Sequence, residues 1–102
     1  MQFNKVTTTI IESLKKIAGE EFVFTDAESL HKYGHDETED LNFPPQVVVK
    51  PRTAEEIAEI LKICNKENIP LTPRGAGTGL SGGALPVYGG IVLSMERFSL
   101  KQ

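Results

Sequence analysis

A chain of 102 residues, 39% hydrophobic and 25% charged, has the balance of one globular domain or part of one, which excludes a disordered tail and a membrane span. The net charge of -3, with no lysine between Lys66 and Lys101, leaves no basic surface for nucleic acid. Cys64 is the only cysteine, so an internal disulfide and a thiolate metal cluster are excluded; a reducing compartment fits, and without an apolar leader in Met1 to Val6 the default expectation is a soluble cytoplasmic protein.

The first predicted element is an amphipathic helix over residues 7 to 18. Val6, Ile10, Leu14, Ile17 and Ala18 recur at three-to-four spacing, Glu12 follows Thr9 at capping-box distance, and Gly19 closes the run. Phe22 to Phe24 is a short extended piece. Thr25 to Glu28 repeats the capping pattern ahead of a second short helix that ends at Gly34. His35 to Pro45 is acidic, then proline-terminated, with no apolar period, and is predicted to be a surface connection and the clearest boundary. Residues 1–44 thus form a helical lead-in and 45–102 a second unit.

Gln46 to Lys50 is a β-branched run without alternation, the pattern of a strand covered on both faces. Pro51 ends it. Thr53 and Glu56 start a helix to about Glu67, with Ile57, Leu61 and Cys64 marking its buried face. Asn68 and Pro70 stop that helix, and Ile69 to Pro73 reads as the next strand. The strand-helix-strand unit implies parallel strands and a right-handed crossover. Ile91 to Met95 is a third strand, and Val47, Ile57, Leu61, Leu71 and Val92 are candidate core. The fold class is α+β or α/β.

Between the last two strands, Pro73 to Gly83 holds five of the nine glycines. Glycine permits positive φ and lets backbone approach a ligand without a Cβ in the way, so successive amides can converge on phosphate oxygens. Arg74 adds a charge-assisted donor, and Thr78 and Ser81 add hydroxyls. Gly77 to Gly82 also matches the G-x-G-x-x-G dinucleotide fingerprint, with Glu96 at a suggestive distance. That fingerprint must open a helix, however, and Pro86, Gly89 and Gly90 leave no room for one before Ile91. The ATPase phosphate loop is excluded by the missing G-K-[ST] ending. A ligand-free turn is the bland alternative.

Arg74 to Pro86 resembles the flavin diphosphate loop of the vanillyl-alcohol-oxidase superfamily, in the form found in glycolate oxidase flavoprotein subunits and D-lactate dehydrogenases. Pro45 to Ile57 is similar to the strand, proline and helix start of that family's FAD domain, and Tyr33 to Glu39 resembles its lead-in. The resemblance implies the first half of a PCMH-type FAD-binding domain. It assigns Gly75, Ala76, Gly77, Thr78 and Gly79 to the diphosphate, with Gly82 and Gly83 completing the wrap. Arg74 either touches the cofactor or bonds backbone carbonyls at the loop's base. Some members tether FAD through a histidine in this loop; Thr78 stands at the matching position, so non-covalent FAD is expected. The implied function is an FAD-binding fragment of a dehydrogenase or oxidase of small 2-hydroxy acids, inactive alone; the alternative is a truncated, non-enzymatic binding or assembly module. No catalytic residue is assigned.

His31 and His35, near Asp36, Glu37, Glu39 and Asp40, invite a metal reading, but Gly34 between them argues against a shared helical face, and a solvated acidic surface is preferred. Cys64 reads as a small apolar core residue and Glu96-Arg97 as an exposed pair. The strand from Ile91 is expected to lack later neighbours and to expose apolar surface, which favours homodimerisation of the isolated chain.

Overall fold

The computed structural model describes residues 3–36, 41–75 and 88–98. Its elements are α1 (Thr8–Ala18), a 3-10 turn (Glu20–Phe22), β1 (Val23–Phe24), α2 (Ala27–Gly34), β2 (His35–Asp36), β3 (Leu41–Asn42), β4 (Val47–Val49), α3 (Ala54–Glu67), β5 (Leu71–Arg74) and β6 (Ile91–Ser94). The fold is mixed α and β, as the alternation of helical and strand patterns implied.

Each helix starts on a side-chain cap. Thr7 accepts from the Ile10 amide at 3.3 Å and Asp26 from the Ser29 amide at 3.0 Å, one residue or more away from the threonines that the spacing suggested. In α3 the Thr53 hydroxyl accepts from the Glu56 amide at 3.2 Å, and the Glu56 carboxylate reaches back to the Arg52 amide at 2.7 Å. Thr53 thus satisfies an amide that the first turn leaves unpaired, and Glu56 holds the amide of the residue before the cap. Asn68 ends α3 in the left-handed region, φ 54°, and returns its amide to the Cys64 carbonyl.

Four strands form one sheet in the order β1-β4-β6-β5. β4 and β5 each run parallel to β6, with Val48 and Thr72 both opposite Val92, while β1 closes the far edge antiparallel to β4. The parallel strand-helix-strand unit is therefore present, but β6 lies between its two strands. All four β6 residues are buried. This corrects the expectation that β6 would expose apolar surface: the strand that comes last takes the central position, and the ground for homodimerisation through it disappears. Among the described strands β5 is an edge, where Pro73 needs no ladder amide on its outer side.

Helices cover both faces of the sheet. On one side α1 and α3 bury Ile10, Leu14, Ala18, Ile60 and Cys64 against Val47, Val49, Ile91 and Leu93. On the other, Tyr33 and Leu30 of α2 pack with Phe24 on Val48 and Val92. That two-sided cover is why β4 reads as an unbroken valine run rather than an alternating one. The lead-in thus shares both the sheet and the core with the segment after residue 45. Leu61 is not core: it is 44% exposed, because the buried stripe of α3 runs through Ile57, Ile60 and Cys64 and one residue's turn carries Leu61 off it. Parts of the stretch expected to be a plain surface connection form strands. β2 and β3 pair antiparallel, His35 opposite Asn42, and the chain returns so close that a Cβ on Gly34 would lie 2.5 Å from the Phe43 carbonyl oxygen.

Candidate functional site

Because β4, β6 and β5 are parallel, their carboxyl ends lie along one side of the sheet. In open α/β sheets that side carries the ligand. Here it gathers Lys50 after β4, Ser94 and Glu96 from the end of β6, and Arg74 and Gly75 at the end of β5, where the glycine-rich run departs. Tyr33, 4% exposed near the end of α2, lies against all three.

The polar contacts form a chain across the strand ends. The Tyr33 hydroxyl and the Glu96 carboxylate share a short hydrogen bond. The Ser94 hydroxyl donates to the same carboxylate oxygen at 2.9 Å, and the Lys50 ammonium stands 3.5 Å from it. The Arg74 Nη1 donates to the Tyr33 carbonyl at 3.0 Å while its guanidinium lies 5.5 Å from the Tyr33 ring centre. Lys50 sits 5.0 Å from the Phe24 ring and 5.8 Å from the Tyr33 ring. Cations over aromatic faces are held by the ring quadrupole, most strongly where water is scarce.

These contacts set the charge states. The hydrogen bond from Tyr33, then that from Ser94 and the nearby Lys50, hold the Glu96 carboxyl below its ordinary value despite partial burial. Burial works against the Lys50 charge, but Tyr33 and Glu96 outweigh it and raise the ammonium above its ordinary value. Both groups are ionised at neutral pH.

Of the residues assigned to the diphosphate by sequence, Arg74 and Gly75 fall at the carboxyl end of β5. Ala76, Gly77, Thr78, Gly79, Gly82 and Gly83 lie outside the described residues, as does the expected irregular loop over 75–83. Among the described residues, nothing lies within 4 Å of a Cβ built on Gly75. A cation at the strand end beside a glycine suits an anionic ligand, and Arg74 and Gly75 fit a flavin diphosphate.

Sequence reasoning missed Tyr33, Lys50 and Ser94. The signal for Lys50 and Ser94 was their position at the carboxyl ends of predicted parallel strands, whereas nothing local marks Tyr33. Glu96 and Arg97 do not form the simple exposed pair expected of them. Glu96 turns to Tyr33, while the Arg97 Nη1 donates to the Lys50 carbonyl at 3.0 Å and the Ala18 carbonyl at 3.3 Å, with its guanidinium 3.4 Å from the Phe22 ring centre. His31 and His35 do meet, stacked with ring centres 4.8 Å apart, His31 from the last turn of α2 and His35 from the extended residue that follows Gly34. Among the described residues no cluster of three or more metal-ligating side chains occurs. Cys64 is buried on α3, and burial pushes its thiol up to about 11, as suits a core residue.

The family described as FAD binding domain matches residues 45–101, and the chain belongs to it. FAD is accordingly the cofactor of this fold. The chain is similar to a D-lactate dehydrogenase of Anaerostipes hadrus, 39% identical over 99 residues, covering 96% of this chain and 21% of the relative. It is also 39% identical over 95 residues to the glycolate oxidase subunit GlcD of Bacillus subtilis (strain 168), covering 92% of this chain and 20% of that protein. The chain thus spans about a fifth of the length of the curated relatives it matches. Among solved structures, p-cresol methylhydroxylase with substrate bound shares the fold with a TM-score of 0.72 at 20% identity, over 90% of this chain and 19% of that one. No described helix is long and apolar enough to cross a membrane.

Proposed function

We propose that this chain is the diphosphate-holding segment of a flavin-dependent dehydrogenase or oxidase acting on small 2-hydroxy acids of the glycolate or D-lactate type. Residues 1–44 are its lead-in and 45–102 the first subdomain of its FAD domain. The observation that carries the reading is the departure of the glycine-rich run from the end of β5, beside the carboxyl ends of β4 and β6. Bound FAD supplies the two-electron acceptor for the hydroxy acid carbon. The chain's own part is binding: amides from Gly75 to Gly79, with Gly82 and Gly83, take the diphosphate oxygens, and the Arg74 cation at the loop's root favours their charge. The substrate class is supported by the two relatives' names, and the cytoplasmic setting by the lone buried Cys64.

The flavin is held non-covalently, since Thr78 offers no imidazole for a tether. FAD added to the purified chain should bind, weakly because diphosphate contacts alone must offset the ordering of loop and ligand, and should leave entirely on denaturation. Gly77→Val should abolish that binding, as a β-branched side chain resists positive φ and blocks close approach. Equal FAD binding by Gly77→Val, measured by quenching of flavin fluorescence, would overturn the loop assignment, and flavin fluorescence persisting on the denatured chain would overturn the non-covalent one. No turnover of glycolate or D-lactate with a dye acceptor is expected from these 102 residues alone.

A further inference from the structure

We infer that Tyr33, in the lead-in and outside the matched residues 45–101, is a positioning residue for the flavin site that acts through Arg74. The inference rests on the diphosphate reading above. Arg74 is the last residue of β5, so the direction of its side chain and the direction in which the chain leaves toward Gly75 are set together. Its guanidinium is held from the α2 side twice over, by the Tyr33 carbonyl at 3.0 Å and by the Tyr33 ring at 5.5 Å.

The ring in turn cannot swing. It packs on Val48 and Val92, its hydroxyl is tied to Glu96 at the end of β6, and Lys50 from the end of β4 stands over its face. One side chain from α2 thereby touches groups from all three parallel strand ends. A flexible arginine beside a glycine run would lose much of its value to an anion, because each bound state would first have to order it. Tyr33 orders it in advance. The hydroxyl serves the ring's placement, and the ring face serves Arg74.

The test is a double-mutant cycle on the 102-residue chain, reading FAD and ADP dissociation constants by fluorescence quenching and calorimetry. Arg74→Met should weaken binding about tenfold, the scale of one charge-assisted hydrogen bond; Tyr33→Leu, which removes the ring face but keeps the main-chain carbonyl, should weaken it about threefold, and the double variant should be no weaker than Arg74→Met. Tyr33→Phe, which keeps the ring, should retain most of the affinity. Ile60→Val trims the core on the other face of the sheet, away from Tyr33, and should lower the melting temperature while leaving affinity near that of the parent. If Tyr33→Leu does not fold, Tyr33→Met fills the space without a ring face and takes its place in the cycle. Multiplying losses in the double variant, or an equal loss in Ile60→Val, would overturn the inference while leaving the diphosphate reading intact. Failure of the parent chain to bind either nucleotide would overturn that reading and the inference with it.

Discussion

A methyl group at Gly90 would meet the carbonyl oxygen and ring of Pro70, and the residue's φ of +74° is one that side chains resist. Its own carbonyl accepts from the Gln46 and Val47 amides at 2.8 and 3.2 Å, so the turn into β6 is fixed by a residue that cannot be enlarged. Gly90→Ala should cost about 3 kcal/mol, combining positive-φ strain with a forced shift of two strands, and urea unfolding would measure it. Glu96 makes a prediction in pH. Because its folded value lies below the ordinary 4.5, it contributes stability that is present above that value and lost as pH falls through the folded one. Acid unfolding of the parent chain should therefore steepen below about pH 4.5 relative to Glu96→Gln, and superimposable acid limbs would disprove the link. Neither residue announced its part in the sequence. Tyr33 and Glu96 are 63 positions apart, and Arg74 lies 41 from the carbonyl it bonds, so no local pattern joins them.

At the scale of the element, the legible features are those that a few neighbouring residues settle. Thr53 and Glu56 close a capping box that spacing alone identifies, and Thr53→Ala should cost about 1 kcal/mol, read as a lower urea midpoint with unchanged m-value. Helix and strand positions followed for the same reason, and the valine run of β4 correctly implied cover on two faces. The face of α3 was read one position off at Leu61, because Ile57, Ile60, Leu61 and Cys64 admit two apolar stripes and only the sheet decides between them. β2 and β3 went unread because two-residue strands carry no period to detect. The glycine run was legible by composition, and Arg74 with it, but the shape of that run falls beyond the described residues.

For the whole molecule, the lead-in and the FAD-binding segment share one core. Ile10, Leu14 and Ala18 of α1 pack on β4, β6 and α3, β1 extends the sheet, and Arg97 links the end of α1 to the end of β4. Burying side chains of the size of Ile10 and Leu14 is worth about 1.5–3 kcal/mol each, a large share of a small domain's net stability. A chain reduced to residues 45–102 should therefore lose cooperative unfolding and bind a hydrophobic dye, although it retains the whole matched family segment. A sharp two-state melt of that shortened chain, followed by circular dichroism, would show that the lead-in is dispensable. Strand order was the feature least accessible beforehand, since it depends on pairings between distant segments rather than on any residue's own preference.

The central place of β6 also dictates an order of events during synthesis. β4 and β5 are made first and cannot pair with each other in the native arrangement, since the slot between them belongs to Ile91–Ser94. Until those residues leave the ribosome, the inward edges of both strands carry unmet amides and carbonyls, with only β1 available as a partner for β4. The sheet closes in a late step that brings two long-range ladders together at once, which favours slow folding and a nascent chain that benefits from a chaperone. The Tyr33–Glu96 and Ser94–Glu96 hydrogen bonds join Lys50 and Arg74 at the carboxyl edge by the same insertion, so that polar cluster is completed when the sheet is, and not before.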